Sequence, residues 1–273
     1  MALTKSLFSL NKRSLFAKRF GLIFLAALLL CNMRCQLAVT SPQYAVYHST
    51  HFTIYFLENE YTLSDLTQIG ERKEHLYNYI NKSLDVTFNG VIKTYLVVND
   101  LWGFAAGAAA YNGVTCESWH YVMSDNGHEI IHEFVFAELG ISNNSFLTEG
   151  IAVAHELDLY QPDPVERFVN WCTDRSIVPT FSISIANQMV NDSFEITYEN
   201  YARAGAFIKF LETTFGLDDV KRLYKASITK GDDLGNEFNA IFGISIQEAE
   251  HRFYQKYFSL SPDQPNSGRE LRL

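Results

Sequence analysis

A chain of 273 residues, 47% hydrophobic and 14% aromatic, can bury a full core as one large domain or two modest ones, which argues against a disordered polypeptide. Its formal charge is −9 and becomes −15 once the first 35 residues, which carry six Lys or Arg and no Asp or Glu, are set apart. So acidic a surface repels phosphate backbones and argues against nucleic acid as a partner.

The leading segment holds Lys5, Lys12, Arg13, Lys18, Arg19 and Arg34 around the apolar run "FGLIFLAALLL", Phe20–Leu30. A basic region followed by a short apolar run is the layout of a secretory signal. The run is about half of the ~20 residues that a membrane-spanning helix needs. Cys31 and Cys35 suggest lipid modification, yet Cys31 follows Leu30 rather than a small residue, and no good small-x-small cleavage site replaces it. Residues 1–35 are therefore expected to be a signal peptide or lipoprotein-type leader. The product would be exported to the cell envelope, periplasm or medium, with membrane anchoring through the leader left open. Of the four cysteines, Cys116 and Cys172 would remain, either as one disulfide or as two buried thiols.

Beyond the leader, "HFTIYFL" (His51–Leu57) alternates as a strand does. Ser64 is placed to cap a helix reaching about Leu84, with Leu66, Ile69, Leu76 and Ile80 on one face. "VIKTYLVV" (Val91–Val98) reads as a strand, "GFAAGAAAYNG" (Gly103–Gly113) as a loop, and "HYVMS" (His120–Ser124) as a short strand. Past Gly140 the pattern turns helical. "FLTEGIAVAHELDLY" (Phe146–Tyr160) should start near Asn144 or Ser145 and stop before Pro162 and Pro164. A longer helix closes on Gly216, and three more follow, in "LDDVKRLYKAS", "DLGNEFNAIFG" and "SIQEAEHRFYQKYF". The expected division is an α/β subdomain over 36–142, a helical subdomain over 143–260 and a loose polar tail over 261–273.

The chemistry lies in "GHEIIHEF", Gly127–Phe134. With Ser124, Asp125 and Asn126 offering a cap and Gly140 a stop, His128–Leu139 reads as a helix. One turn apart, His128 and His132 project from the same face and can share a tetrahedral metal. Glu129 is placed to reach a water on that metal without binding the metal itself. A catalytic zinc needs a third protein ligand, and Glu149 in "FLTEGIAVAHE" is the favoured one, brought back by a turn after Gly140. A carboxylate among Ile151, Ala152 and Val153 would be costly without a cation to meet it. His155 is the rival ligand. With Glu156 it is otherwise an ordinary residue of a later turn, or a residue that supports the ligands.

Taken together, "HEIIHEF", "FLTEGIAVAHE" and "YARAGAFIKFLETTFG" resemble the gluzincin zinc metallopeptidases of the MA clan, in particular the bacterial peptidase-MA-like group with its "HExxH … EG-A" layout. The likeness runs from His51 to about Phe258. It implies an α+β fold: a zincin-like metallopeptidase domain with a small mixed sheet and an active-site helix, followed by a helical C-terminal subdomain. It also implies one Zn2+ per chain on His128, His132 and Glu149, Glu129 as general base, and a peptide or protein substrate. Family members often use a tyrosine hydroxyl to steady the oxyanion. Tyr198 and Tyr201 stand at the right place, and Tyr201, six residues before Phe207, is favoured. Extended substrates commonly add to a sheet edge in this family, a role for "HYVMS" unless it is an ordinary core strand. One departure matters. Thermolysin-like members carry an aspartate four residues after the ligand glutamate, where this chain has Val153, so the group that orients a histidine must come from elsewhere. The rival reading is a catalytically silent zincin-like envelope protein that binds a peptide or protein partner. Its mark would be a lost ligand or base, and all four residues are present. Hydrolysis of a bond other than a peptide is not excluded by the ligands alone.

Overall fold

The structure is a computed structural model, and it describes residues 44–58, 60–97, 108–110, 114–118, 126–157, 163–175, 185–190, 194, 197–230 and 233–258. The leader, the "HYVMS" segment and the C-terminal tail lie outside the described residues. The described part is mostly helical with one small mixed sheet. It forms two compact units: one comprises residues up to Glu71 and Gly90–Ser124, the other Arg72–Asn89 and everything from Asp125 onward.

The first unit is built on five strands: β1 (Tyr44–His48), β2 (Phe52–Leu57), β3 (Ile92–Val97), β4 (Ala108–Ala110) and β5 (Val114–Ser118). Their order is β1-β2-β3-β5-β4. The central pairs β2–β3 and β3–β5 are parallel, and β1 and β4 close the edges antiparallel. Period-two alternation in β2 buries Phe52, Ile54 and Phe56 while Thr53, Tyr55 and Leu57 stay half-exposed. Thr94 and Thr115 face each other in the β3–β5 register, and their hydroxyls, 2.8 Å apart, satisfy one another inside the sheet. Tyr55 and Tyr95 stack at 4.5 Å. Two expectations change here. Part of the Gly/Ala stretch is strand β4, not loop, because pairing with β5 overrides the helix preference of alanine. The helix α1 (Leu63–Ser83) is capped by Thr62 instead of Ser64: Asp65 N–H donates to Thr62 Oγ1 (3.2 Å) and Thr62 N–H donates to Asp65 Oδ2 (2.8 Å).

The second unit holds the rest of α1 and eight further helices among the described residues. These are α2 (His128–Leu139), α3 (Ser145–His155), α4 (Pro164–Asp174), α5 (Ile185–Val190), α6 (Tyr198–Phe215), α7 (Leu217–Lys230), α8 (Leu234–Phe242) and α9 (Ile246–Phe258). At its centre α3 crosses α6 at close range, and two glycines make the approach possible. A methyl group on Gly150 would lie 2.8 Å from Ile208 and 3.2 Å from the Ala204 carbonyl oxygen, and one on Gly205 would lie 2.3 Å from Val153. The helix carrying Glu149 is thereby seated on the helix carrying Tyr201. Phe146, Phe168, Phe207 and Phe253 fill the surrounding core. The helix read over Phe146–Tyr160 leaves helical geometry at Glu156, whose φ of −56° and ψ of 140° are extended. Pro164 begins a helix as well as following one, since its missing N–H and fixed φ suit the first turn and Asp163 Oδ1 accepts from Val165 N–H and Glu166 N–H.

The turn from α2 to α3 is fixed by polar contacts that set where Glu149 returns. The Tyr224 hydroxyl donates to the Gly140 carbonyl (3.2 Å), and the Ser142 and Ser227 hydroxyls meet at 2.6 Å. Asn144 caps α3 through Leu147 N–H (3.1 Å), while its own amide donates to the Met189 carbonyl (2.6 Å). Cys172 is a free, buried thiol, pushed up to about 11 by burial, so it takes the thiol branch of the cysteine expectation.

Candidate metal centre

Helix α2 begins at a left-handed Gly127 (φ 90°), a conformation glycine adopts without strain. A methyl group there would also press on Ile80 at 2.9 Å. Just before it, Asn126 Oδ1 accepts from His128 N–H (3.2 Å). Ile130, Ile131, Phe134 and Val135 anchor the helix in the core. Its one-turn spacing then sets His128 and His132 edge to face, with ring centres 4.7 Å apart.

Glu149, one turn into α3, meets them. The Nε2 atoms of His128 and His132 are 3.1 Å apart, and Glu149 Oε2 lies 3.2 Å from the first and 3.4 Å from the second. Donors about 2.0–2.1 Å from one tetrahedral zinc would be separated by roughly 3.3–3.4 Å. The triangle fits that ion. His132 Nδ1 is buried with no hydrogen-bond partner among the described residues. Among the described residues, this is the group of three or more His, Cys, Asp or Glu whose donor atoms converge as metal ligands do.

Burial would favour neutral His128, but its hydrogen bonds with Glu149 and Glu156 prevail and hold its pKa well above the ordinary value. Burial would likewise raise Glu149, and the two imidazoles outweigh it and hold the carboxylate low. A divalent cation bound there would compete with protons for the same atoms.

Glu129 is buried beside the triangle, and its charge raises the pKa of both His128 and Tyr201. The Tyr201 ring centre is 6.0 Å from that of His128. Burial first, and then the charges of Glu149 and Glu129, push the Tyr201 hydroxyl up, so that it stays a proton donor at neutral pH. Tyr198 is 67% exposed at the start of the same helix. The rival ligand His155 points away from the triangle, to Glu212 Oε1 (2.6 Å) and Ser83 Oγ (3.2 Å). The residue that sequence reasoning left undecided is Glu156, whose Oε1 accepts from His128 Nδ1 at 2.7 Å. Its seven-residue distance from Glu149, near two full turns, was the available signal.

No protein-family model and no curated protein matches the chain. Among solved structures it is similar to a mutant M1 zinc metallopeptidase from Deinococcus radiodurans bound to a Tyr-Ser-Ala substrate (TM-score 0.45, 12% identity, 78% of this chain and 51% of that one). It is also similar to the M1 zinc metallopeptidase of the same organism (0.43, 14%, 79% and 51%) and to a two-domain M1 zinc metallopeptidase mutant bound to L-tryptophan (0.46, 12%, 81% and 54%). The chain spans about half the length of these structures. Superposition this loose leaves the chemistry to the chain's own residues.

Proposed function

We propose that this protein is a zinc-dependent peptidase whose metal is held by His128, His132 and Glu149. The observation that carries the reading is the triangle of Nε2, Nε2 and Oε2 at 3.1–3.4 Å with Glu129 beside it. Three protein donors leave a fourth position open, as hydrolytic zinc sites require and structural ones do not. The chemistry that a bound zinc ion supplies is Lewis acidity, which polarises a carbonyl and acidifies a water molecule. Glu129 would act as the base, taking a proton from a water molecule and passing it to the leaving amine. The protonated Tyr201 hydroxyl donates to the oxygen on which charge develops. His128 and His132 hold their rings through the buried face of α2, so the geometry is set before substrate arrives. The basic, acid-free leader supports placing this activity outside the cytoplasm.

Glu129→Gln tests the reading. The amide preserves size and burial but cannot accept the proton, so zinc content should stay at one per chain while hydrolysis falls by about two orders of magnitude or more. Digestion of a peptide library, read by mass spectrometry, measures it. Equal cleavage by wild type and variant would remove Glu129 as the base. A wild type that binds zinc yet cleaves nothing would favour the silent, peptide-binding scaffold.

A further inference from the structure

We infer that Glu156 and Arg167 act as a positioning pair for His128, replacing the aspartate that would stand where this chain has Val153; the inference rests on the zinc reading above. Val153 cannot serve. It is apolar, and its side chain packs against Gly205 at the α3–α6 crossing, so the position four residues past Glu149 is committed to helix packing. The next position on the same side of the helix is Glu156, one residue beyond the end of α3.

Two independent contacts fix Glu156 there. Its backbone neighbour Leu157 donates N–H to the Asn126 carbonyl (2.8 Å), which ties this segment to the start of α2, two residues before His128. From the other side comes Arg167 of α4. One guanidinium nitrogen donates to Glu156 Oε2 (2.8 Å), and the other donates to the Val153 carbonyl (3.0 Å), one of those left unpaired at a helix C-terminus. A planar fork satisfying a carboxylate and a backbone carbonyl together holds Glu156 in one orientation, which a lysine could not do. Glu156 Oε1 is left to accept from His128 Nδ1 at 2.7 Å.

The consequence is a defined tautomer. With its proton on Nδ1, His128 presents the Nε2 lone pair to the donor triangle, and its ring cannot rotate away. The carboxylate also makes the imidazole a stronger base and so a stronger donor. Arg167 offsets the added negative charge, so this support need not make the site more anionic.

Zinc affinity of the full-length protein, measured by competition with a chromogenic chelator, tests the pair. Glu156→Ala should weaken zinc by about 10- to 100-fold, and Glu156→Gln, whose amide oxygen can still accept from Nδ1, by less. Arg167→Lys should fall between wild type and Arg167→Met, because a single ammonium holds only one of the two partners. In the zinc-loaded protein, the slowly exchanging, downfield Nδ1 proton of His128 should be seen by NMR in wild type and lost in Glu156→Ala. Urea midpoints of the metal-free proteins separate folding from positioning. Wild-type affinity in Glu156→Ala and Arg167→Met, with lowered midpoints, would reduce the pair to a structural clamp and overturn the inference. A wild type that takes no zinc would instead overturn the metal reading itself, and the pair's role with it.

Discussion

Two largely enclosed histidines, His128 and His155, show how differently the same residue type can be used. His155 and Glu156 are neighbours in sequence, yet they feed separate polar clusters. His155 has both ring nitrogens occupied, by Glu212 Oε1 (2.6 Å) and Ser83 Oγ (3.2 Å), and Lys209 completes Glu212 from its other oxygen (3.0 Å). Among the described residues that cluster is closed: both ring nitrogens of His155 and both oxygens of Glu212 have partners. The His128 cluster is closed on its Nδ1 side by Glu156 and Arg167, and on its other side three potential ligand atoms converge. Burial alone does not separate a ligand from a staple. The count of potential ligand atoms pointing at one place does.

The largest effect expected from that contrast is on metal content. His132→Ala and Glu149→Ala should lose most of the single zinc ion, because two protein donors hold an ion far less firmly than three. His155→Ala should keep it. Inductively coupled plasma mass spectrometry of the purified proteins reads all three. Full zinc in Glu149→Ala, or loss of zinc from a folded His155→Ala, would break the comparison.

A smaller effect is expected on stability, with the assignments reversed. His155→Leu removes one partner of Ser83 and leaves Glu212, in a mostly buried place, with Lys209. Leaving a buried polar group short of a partner costs about 1–3 kcal/mol. The urea midpoint should fall accordingly while zinc stoichiometry holds at one. An unchanged midpoint would mean that the His155 cluster contributes nothing to the fold.

The His128 cluster was the more legible of the two in sequence. Helical spacing places positions four apart on one face over a single turn, so His128 and His132 needed no tertiary information, and Glu149 needed only a returning helix. The support for His128 was hidden because it depends on two things sequence patterns do not fix. One is where α3 stops, at His155 instead of Tyr160, which turns Glu156 into a residue at the helix end. The other is α4, which brings Arg167. Its start at Pro164 looks like a barrier when read from the preceding helix and like an N-terminus when read with Asp163. The short sheet edges were hidden for a related reason. Ala108–Ala110 has no strand signature of its own and is a strand only through pairing with β5, and "VTCES" gives β5 little alternation to recognise. The Tyr44–His48 edge was likewise not read as a strand.

The smallest and most specific expectation is a pH dependence that belongs to the closed cluster. Burial alone would raise Glu212, but hydrogen bonds and charge from His155 and Lys209 prevail, so its folded pKa lies below the ordinary carboxyl value of 4.5. A carboxylate with a depressed folded pKa binds fewer protons folded than unfolded. It therefore contributes stability that is complete above 4.5 and is lost as pH falls through the lower folded value. Glu149 and Glu156 are depressed too, so the wild-type acid limb sums several groups. The difference between wild type and Glu212→Gln removes the common part. In metal-free protein, urea midpoints taken from pH 6 down to pH 3 should fall less steeply for Glu212→Gln, with the two curves converging at the acid end. The gap at neutral pH reports the pair's worth at about 1.4 kcal/mol per unit of pKa displacement, together with any direct cost of the amide. Parallel curves over the whole range would show that Glu212 titrates alike folded and unfolded, and that the His155 contacts do not hold its charge.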